Sequence, residues 1–351
     1  MKGSVHLFKI WGINIDIHIT FLLLPLIFGF HYGLRGVFII FFVFFCVTIH
    51  ELMHSLQAKR FGIRVEQIIL LPIGGMASLR KMPDNPKEEF IVAISGPLFN
   101  IIFALIFFYP LYTLLGPEDF FHPSLDTWAR TFAYAFWINP LLAFFNLLPA
   151  FPMDGGRILR AFLAQRMNYK KATHIAVQLG HLFAILFIFF GIRYNHLLLI
   201  VIAFFVYFAA SQEGAQVDLR MVLKRFFVRD ILNPNFISIS PQTTINEILG
   251  LIFHTHQEDF PVVEGENLVG FLPRGEIICA LHQKERNVTA SEIMRREFPV
   301  VRLDHSLYDV HMKLESSALR AIPVVDEGKL RGIVTMEDVG RIYGLVIDQR
   351  R

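Results

Sequence analysis

The first 210 residues are divided into apolar stretches of bilayer length. A helix needs about 20 mostly apolar residues to cross a hydrocarbon core. About six stretches approach that length, over roughly 13–30, 36–61, 90–115, 128–148, 173–192 and 196–210. The 54% hydrophobic content and 37 Phe in 351 residues exclude a disordered chain and argue against a purely soluble enzyme.

Charge divides the chain in two. Of the 63 Lys, Arg, Asp and Glu residues, 26 fall in 1–210 and 37 in 211–351, about 12% against 26%. A lipid-embedded first part is thus expected to join a second part of ordinary soluble character. Lys and Arg cluster after the second stretch (Lys59, Arg60, Arg64, Arg80, Lys81, Lys87), the fourth (Arg157, Arg160, Arg166, Lys170, Lys171) and the sixth (Arg220, Lys224, Arg225, Arg229). By the positive-inside rule both termini are cytoplasmic in a multi-pass cell-membrane protein. No small-residue cleavage site follows the first apolar run, so the N-terminus is expected to stay. Net charge of +3 without a basic run argues against nucleic acid, and Cys46 and Cys279 read as inert thiols.

The tail repeats itself at an offset of about 62 residues. Asp230-Ile231 aligns with Glu292-Ile293, Pro261-Val262-Val263 with Pro323-Val324-Val325, Gly270 with Gly332 and Glu276 with Asp338. Each copy reads as a short strand, a helix (245–253; 307–315), two strands about a turn, and a closing helix. This order resembles the cystathionine-β-synthase (CBS) domain, which occurs in pairs and often binds adenine nucleotide. The resemblance implies that Thr335 and Asp338, with Ile322 and Pro323 nearby, contact ATP or AMP. In the first copy Pro273 stands in place of the hydroxyl and Glu276 in place of the Asp, so at most one good site is expected. A ligand-free dimerising pair fits the same residues.

The second stretch ends in His50-Glu51-Leu52-Met53-His54. Residues four apart share a helix face, so His50 and His54 can hold one Zn2+, and Glu51 can act as general base on a metal-activated water. The competing reading is a helix end emerging at the cytoplasmic interface, its His and Glu merely solvated. A catalytic zinc takes three protein ligands. The candidate third lies in Asn146-Leu147-Leu148-Pro149-Ala150-Phe151-Pro152-Met153-Asp154-Gly155-Gly156, where prolines and glycines break the helix at membrane depth. Such backbone is tolerated only inside protein or along a wet cavity. Asp154 offers a carboxylate there and Asn146 an amide; taken alone, Asp154 also suits a helix N-cap.

These motifs, with Ser95-Gly96-Pro97-Leu98-Phe99-Asn100 in the third stretch, resemble the site-2 protease family of intramembrane zinc metalloproteases, in its six-helix form with a C-terminal CBS pair. That likeness implies His50, His54 and Asp154 as zinc ligands and Glu51 as base. It also implies a role for Asn146, and by its motif Asn100, in holding substrate backbone or an oxyanion. Between the second and third stretches, residues 65–78, with Gly74 and Gly75, read as a re-entrant β hairpin that clamps an unwound substrate; a structural loop lining the cavity fits equally well. His18, near the start of the first stretch, reads as a hydrogen-bonded or solvated residue more than a cavity-lining one, and the sequence assigns no role to His174, His181 and His196.

The expectation is therefore a polytopic α-helical membrane protein, with about six transmembrane helices and a re-entrant β hairpin, plus a cytoplasmic α/β tandem CBS domain. The parts are a metalloprotease domain over 1–213, a linker over 214–227, and CBS domains over 228–286 and 287–347. Its substrate is a membrane protein with a transmembrane segment, and the CBS pair also suits homodimerisation. The rival is a CBS-regulated channel or metal transporter, which would favour midplane ligands without a general base beside paired His.

Overall fold

The computed structural model describes residues 3–72, 74–79, 85–232, 234–255, 257–282 and 288–348. Ile73, Arg80, Lys81 and the expected boundary at 286–287 lie outside them. The chain separates into two compact units, Met1–Ala215 and Gln216–Arg351.

The first unit opens with two strands, β1 (Ser4–Ile10) and β2 (Ile13–His18), followed by α1 (Leu23–Arg60) and the pair β3 (Val65–Leu71) and β4 (Gly74–Leu79). Together they form one sheet in the order β1-β2-β3-β4. The outer pairs are antiparallel and the central pair, Asn14–Ile17 with Gln67–Leu70, is parallel. Four helices follow: α2 (Pro86–Phe121), α3 (Trp128–Asn146), α4 (Asp154–Ala164) and α5 (Tyr169–Arg193); α6 (Leu197–Leu223) begins in this unit.

Among the described residues, four helical segments are long and apolar enough to cross a membrane: Ile19–Arg60, Pro86–Phe121, Tyr169–Arg193 and Leu197–Leu223. The segment Ile19–Arg60 takes in the first two expected stretches, and the fourth, α3, is not among these four. The first expected span, 13–30, begins as β2 and becomes α-helical only at Leu23. Gly33 then breaks α1 at φ 59°, a left-handed value that glycine alone adopts without strain. Ten residues of helix reach about 15 Å, half of a bilayer core. The fourth expected span is helix α3, whose 19 residues include Arg130, Asn139 and Asn146. Outward-facing side chains such as Leu105 and Leu197, each 74% exposed, are the surface expected of helices bathed in lipid. Between sheet and helices, Ile13, Ile15, Phe21, Ile39, Phe44 and Ile68 form a buried core.

The second unit carries the repeat. Its first copy contains α7 (Val228–Ile231), α8 (Ile245–His254), β5 (Phe260–Glu264), β6 (Asn267–Leu272) and α9 (Arg274–His282). Its second contains α10 (Ala290–Ile293), α11 (Leu307–Ser317), β7 (Ala321–Asp326), β8 (Lys329–Thr335) and α12 (Met336–Asp348). The short leading strand is a single parallel bridge in each copy, Ile239 to Val262 and Val301 to Val324, so the 62-residue offset recurs in the hydrogen bonding.

Candidate metal centre

α1 carries His50 and His54 one turn apart, both buried at 5% and 7% exposure. Their outer nitrogens are engaged. His50 Nδ1 donates to Asn100 Oδ1 at 2.6 Å and His54 Nδ1 to the Val92 carbonyl at 2.7 Å, both acceptors lying on α2. With the proton on Nδ1, each neutral imidazole presents an unprotonated Nε2. The two Nε2 atoms are 3.1 Å apart and lie 3.2 and 3.1 Å from Asp154 Oδ2.

Asp154 reaches this point because the chain doubles back before α4. A Cβ on Gly155 would lie 2.2 Å from the Leu148 carbonyl oxygen, and one on Gly156 2.5 Å from the Ala150 carbonyl carbon. Only a residue without a side chain permits either approach. α2 closes the opposite side at Gly96, where a Cβ would stand 2.3 Å from His54 Nε2 and 2.7 Å from His50 Nε2. Three lone-pair donors thus converge where bulk is excluded; they repel one another unless a cation lies among them. Two imidazoles and one carboxylate are the donor set of an open catalytic Zn2+ site, so the residues fit that metal.

Glu51 follows His50 and meets the sheet. A Cβ on Gly75 would lie 2.7 Å from Glu51 Cγ. Gly75 pairs with Leu70 and Gly74 with Leu71, and β4 ends the sheet order, so the strand next to the acid is an edge strand. A carboxylate, the His50–His54–Asp154 cluster and, among the described residues, the last strand of the sheet are brought to one place.

Asn100, expected as a substrate or oxyanion group, is committed on both ends. Its Oδ1 accepts from His50 and its Nδ2 donates to Asn139 Oδ1 at 2.9 Å. Both amides are fully buried, so the Asn100 side chain is engaged by His50 and Asn139. Asn146 ends α3, partly buried, and makes no side-chain hydrogen bond among the described residues. Asn139 and the Val92 carbonyl have no role in the sequence analysis, and Gly96 enters it only as part of the Ser95–Asn100 motif. For Asn139 the signal is a polar residue within an apolar helix, where it needs a partner. Of the other histidines, His18 Nδ1 meets Thr20 Oγ1 at 2.8 Å, and His181 bonds Ser211 at 2.9 Å and stacks on Tyr207.

In the second unit Thr335 and Asp338 bond each other. Thr335 Oγ1 donates to Asp338 Oδ2 at 2.7 Å, and the Asp338 backbone N–H returns a bond to Thr335 Oγ1 at 3.1 Å, which caps α12. Ile322 and Pro323 are buried and pair with Val334 and Ile333. In the first copy Pro273 offers no hydroxyl, and Asp259 takes over: its Oδ1 accepts the Arg274 backbone N–H at 2.9 Å.

Comparison with known proteins follows the same division. Residues 38–124 and 122–189 match the profile of Peptidase family M50, and 228–283 and 290–343 each match the CBS domain. A zinc metalloprotease of Methanocaldococcus jannaschii is 35% identical over 350 residues, covering 99% of this chain and 98% of that protein. Stage IV sporulation protein FB of Bacillus subtilis is 28% identical over 52% of this chain and 61% of its own length. A solved site-2 protease from Methanocaldococcus jannaschii shares 38% identity and covers 60% of this chain and 95% of that one, with a TM-score of 0.45.

Proposed function

The chain belongs to peptidase family M50, the site-2 proteases, and is a zinc metalloprotease with a CBS pair; from that premise we propose that it hydrolyses peptide bonds of membrane-spanning or membrane-associated substrates near the cytoplasmic face. The observation that carries this reading is the meeting of His50, His54 and Asp154 at one point, with Glu51 beside the free edge of β4.

In this reading His50 Nε2, His54 Nε2 and the Asp154 carboxylate hold Zn2+. When bound, the metal supplies Lewis-acid polarisation of the scissile carbonyl and acidification of water. Glu51 accepts a proton from the attacking water on its carboxylate. As the new C–O bond forms and the C–N bond breaks, it returns that proton to the departing amine. Asn100 and the Val92 carbonyl fix the two imidazoles in one tautomer. A helical substrate shields its peptide bonds, so it must unwind first; the free edge of β4 around Gly74 and Gly75 then pairs with it as an added strand. Asn146, with an uncommitted amide, is the group left to contact substrate backbone or the developing oxyanion.

The protease part is taken as 1–213, the linker as 214–227 and the CBS domains as 228–286 and 287–347, with both termini cytoplasmic because the basic residues gather in the loops on that side. ATP or AMP is proposed to bind the second CBS copy through Thr335, Asp338 and the Ile322-Pro323 segment and to alter the cleavage rate. A homodimer through the CBS pair suits the same domains.

The test uses zinc-loaded protein in proteoliposomes with labelled single-span segments carrying helix-breaking residues. Cleavage by the wild type, abolished in Glu51→Gln, supports the reading; metal flux with no cleavage in either protein transfers it to the transporter class. Equal rates with and without saturating ATP or AMP, unchanged in Thr335→Ala plus Asp338→Ala, would leave the CBS pair a scaffold.

A further inference from the structure

Four charged side chains that the proposed reaction does not use gather around α4. Arg160, 2% exposed, donates from Nε to Glu89 Oε1 on α2 at 2.8 Å, and Glu89 is 1% exposed. The other face of this pair meets Glu213 on α6, whose two oxygens lie 3.5 Å from Arg160 Nη1 and 3.4 Å from Arg157 Nη2. The Arg160 guanidinium also lies over the Phe151 and Tyr169 rings, 4.8 and 5.0 Å from their centroids.

Apolar packing would join three helices at lower desolvation cost than buried ions do. What ions add is a defined register, because a guanidinium meets a carboxylate in few orientations. The arginines sit where register matters. Asp154, Arg157 and Arg160 follow one another at three-residue spacing on α4, so each is the face neighbour of the next, and a rotation of the helix that breaks one contact displaces the others. Glu89, the anchor of Arg160, precedes Val92 by three residues on the helix whose Val92 carbonyl orients His54. α2 and α4 therefore each carry one part of the candidate metal site and one part of this network.

We propose that Glu213 is a positioning residue for Asp154. By pairing with Arg157 and Arg160 it sets the rotation of α4, and so decides whether the Asp154 carboxylate meets the His50–His54 pair. The proposal rests on the reading of Asp154 as a metal ligand. α6 continues to Leu223, so a shift of that helix changes the metal affinity, and bound metal, by linkage, steadies α6.

The test is zinc affinity of the full chain in detergent, measured by competition with a chelating dye, together with hydrogen exchange of α6 with and without Zn2+. Glu213→Gln is expected to weaken zinc about tenfold and to remove the zinc-dependent slowing of exchange in α6, whereas Glu213→Asp, which keeps the charge, stays close to wild type. Zinc affinity within about twofold of wild type in Glu213→Gln, with Asp154→Asn losing the metal, overturns the proposal alone. Undiminished affinity in Asp154→Asn overturns the ligand reading and the proposal with it. Should Glu213→Gln not fold, Arg157→Gln carries the same test, because it breaks one pair and leaves Arg160 both of its carboxylates.

Discussion

His50 Nδ1 and Asn100 Oδ1, fifty residues apart in the chain, stand 2.6 Å from each other, and Asn139 holds Asn100 in turn from a third helix. The chain α3–α2–α1 thus ends on Nδ1 of the histidine whose other ring nitrogen, Nε2, is the proposed metal ligand. Groups that orient a ligand typically contribute about 10–100-fold to metal affinity. Asn100→Leu is expected to weaken zinc within that range, and Asn139→Ala less, because Asn100 keeps its bond to His50. Dye competition on purified protein measures both; equal affinity in all three proteins would contradict the orienting role.

Glu51 lies next to the ligands without being one in the proposed site. Glu51→Gln keeps the size and loses the base, so the zinc content should remain near one per chain while cleavage falls by about 10²–10⁴-fold. Metal analysis beside a cleavage assay separates the two effects; zinc lost together with activity would make Glu51 a ligand instead.

The glycines predict a graded series. Gly96→Ala would place a Cβ 2.3 Å from His54 Nε2, against a helix backbone that cannot yield far. Overpacking costs about 1–3 kcal/mol, so zinc affinity should fall by about five- to hundredfold. Gly75→Ala would meet Glu51 Cγ at 2.7 Å and is expected to depress cleavage while zinc stays bound. Gly250→Ala on α8, with nothing within 4 Å, should leave both unchanged and add up to about 1 kcal/mol to its helix.

In the first CBS copy Asp259 replaces the missing hydroxyl cap. Asp259→Ala should cost about 1 kcal/mol, seen as faster hydrogen exchange at the start of α9 in the full chain. Burial holds the Asp259 carboxyl above its ordinary value of 3.8, against the lowering effect of the Arg274 N–H. The folded state therefore binds this proton more tightly, and the contribution to stability, complete below the ordinary value, declines as pH rises through the raised one. Asp259→Asn retains the acceptor without the charge and should flatten that decline; an unchanged pH profile would count against it.

The local patterns were readable before any fold was known. Spacing of four put His50 and His54 on one face, Asp154 was marked by the broken helix around it, and the 62-residue offset recurs as the Ile239–Val262 and Val301–Val324 bridges. Each of these signals lies within one element or repeats in sequence, so periodicity carries it. The bounds of the first apolar stretch shift because apolar content alone does not separate a buried strand from a helix: residues 13–18 form β2, paired with β3, and α1 begins only at Leu23.

Sequence alone offered His50, His54, Asp154 and Glu51 as residues whose chemistry suits a metal and a proton transfer. Tertiary structure decided which nitrogen of each histidine is engaged by α2, that Asn100 bonds His50 and Asn139, that Gly75 lies against Glu51, and that Glu89, Arg160 and Glu213 tie α4 to α2 and α6. Those facts depend on hydrogen bonds and close approaches between helices distant in sequence, and such contacts are set by packing, which leaves no period in the chain to read.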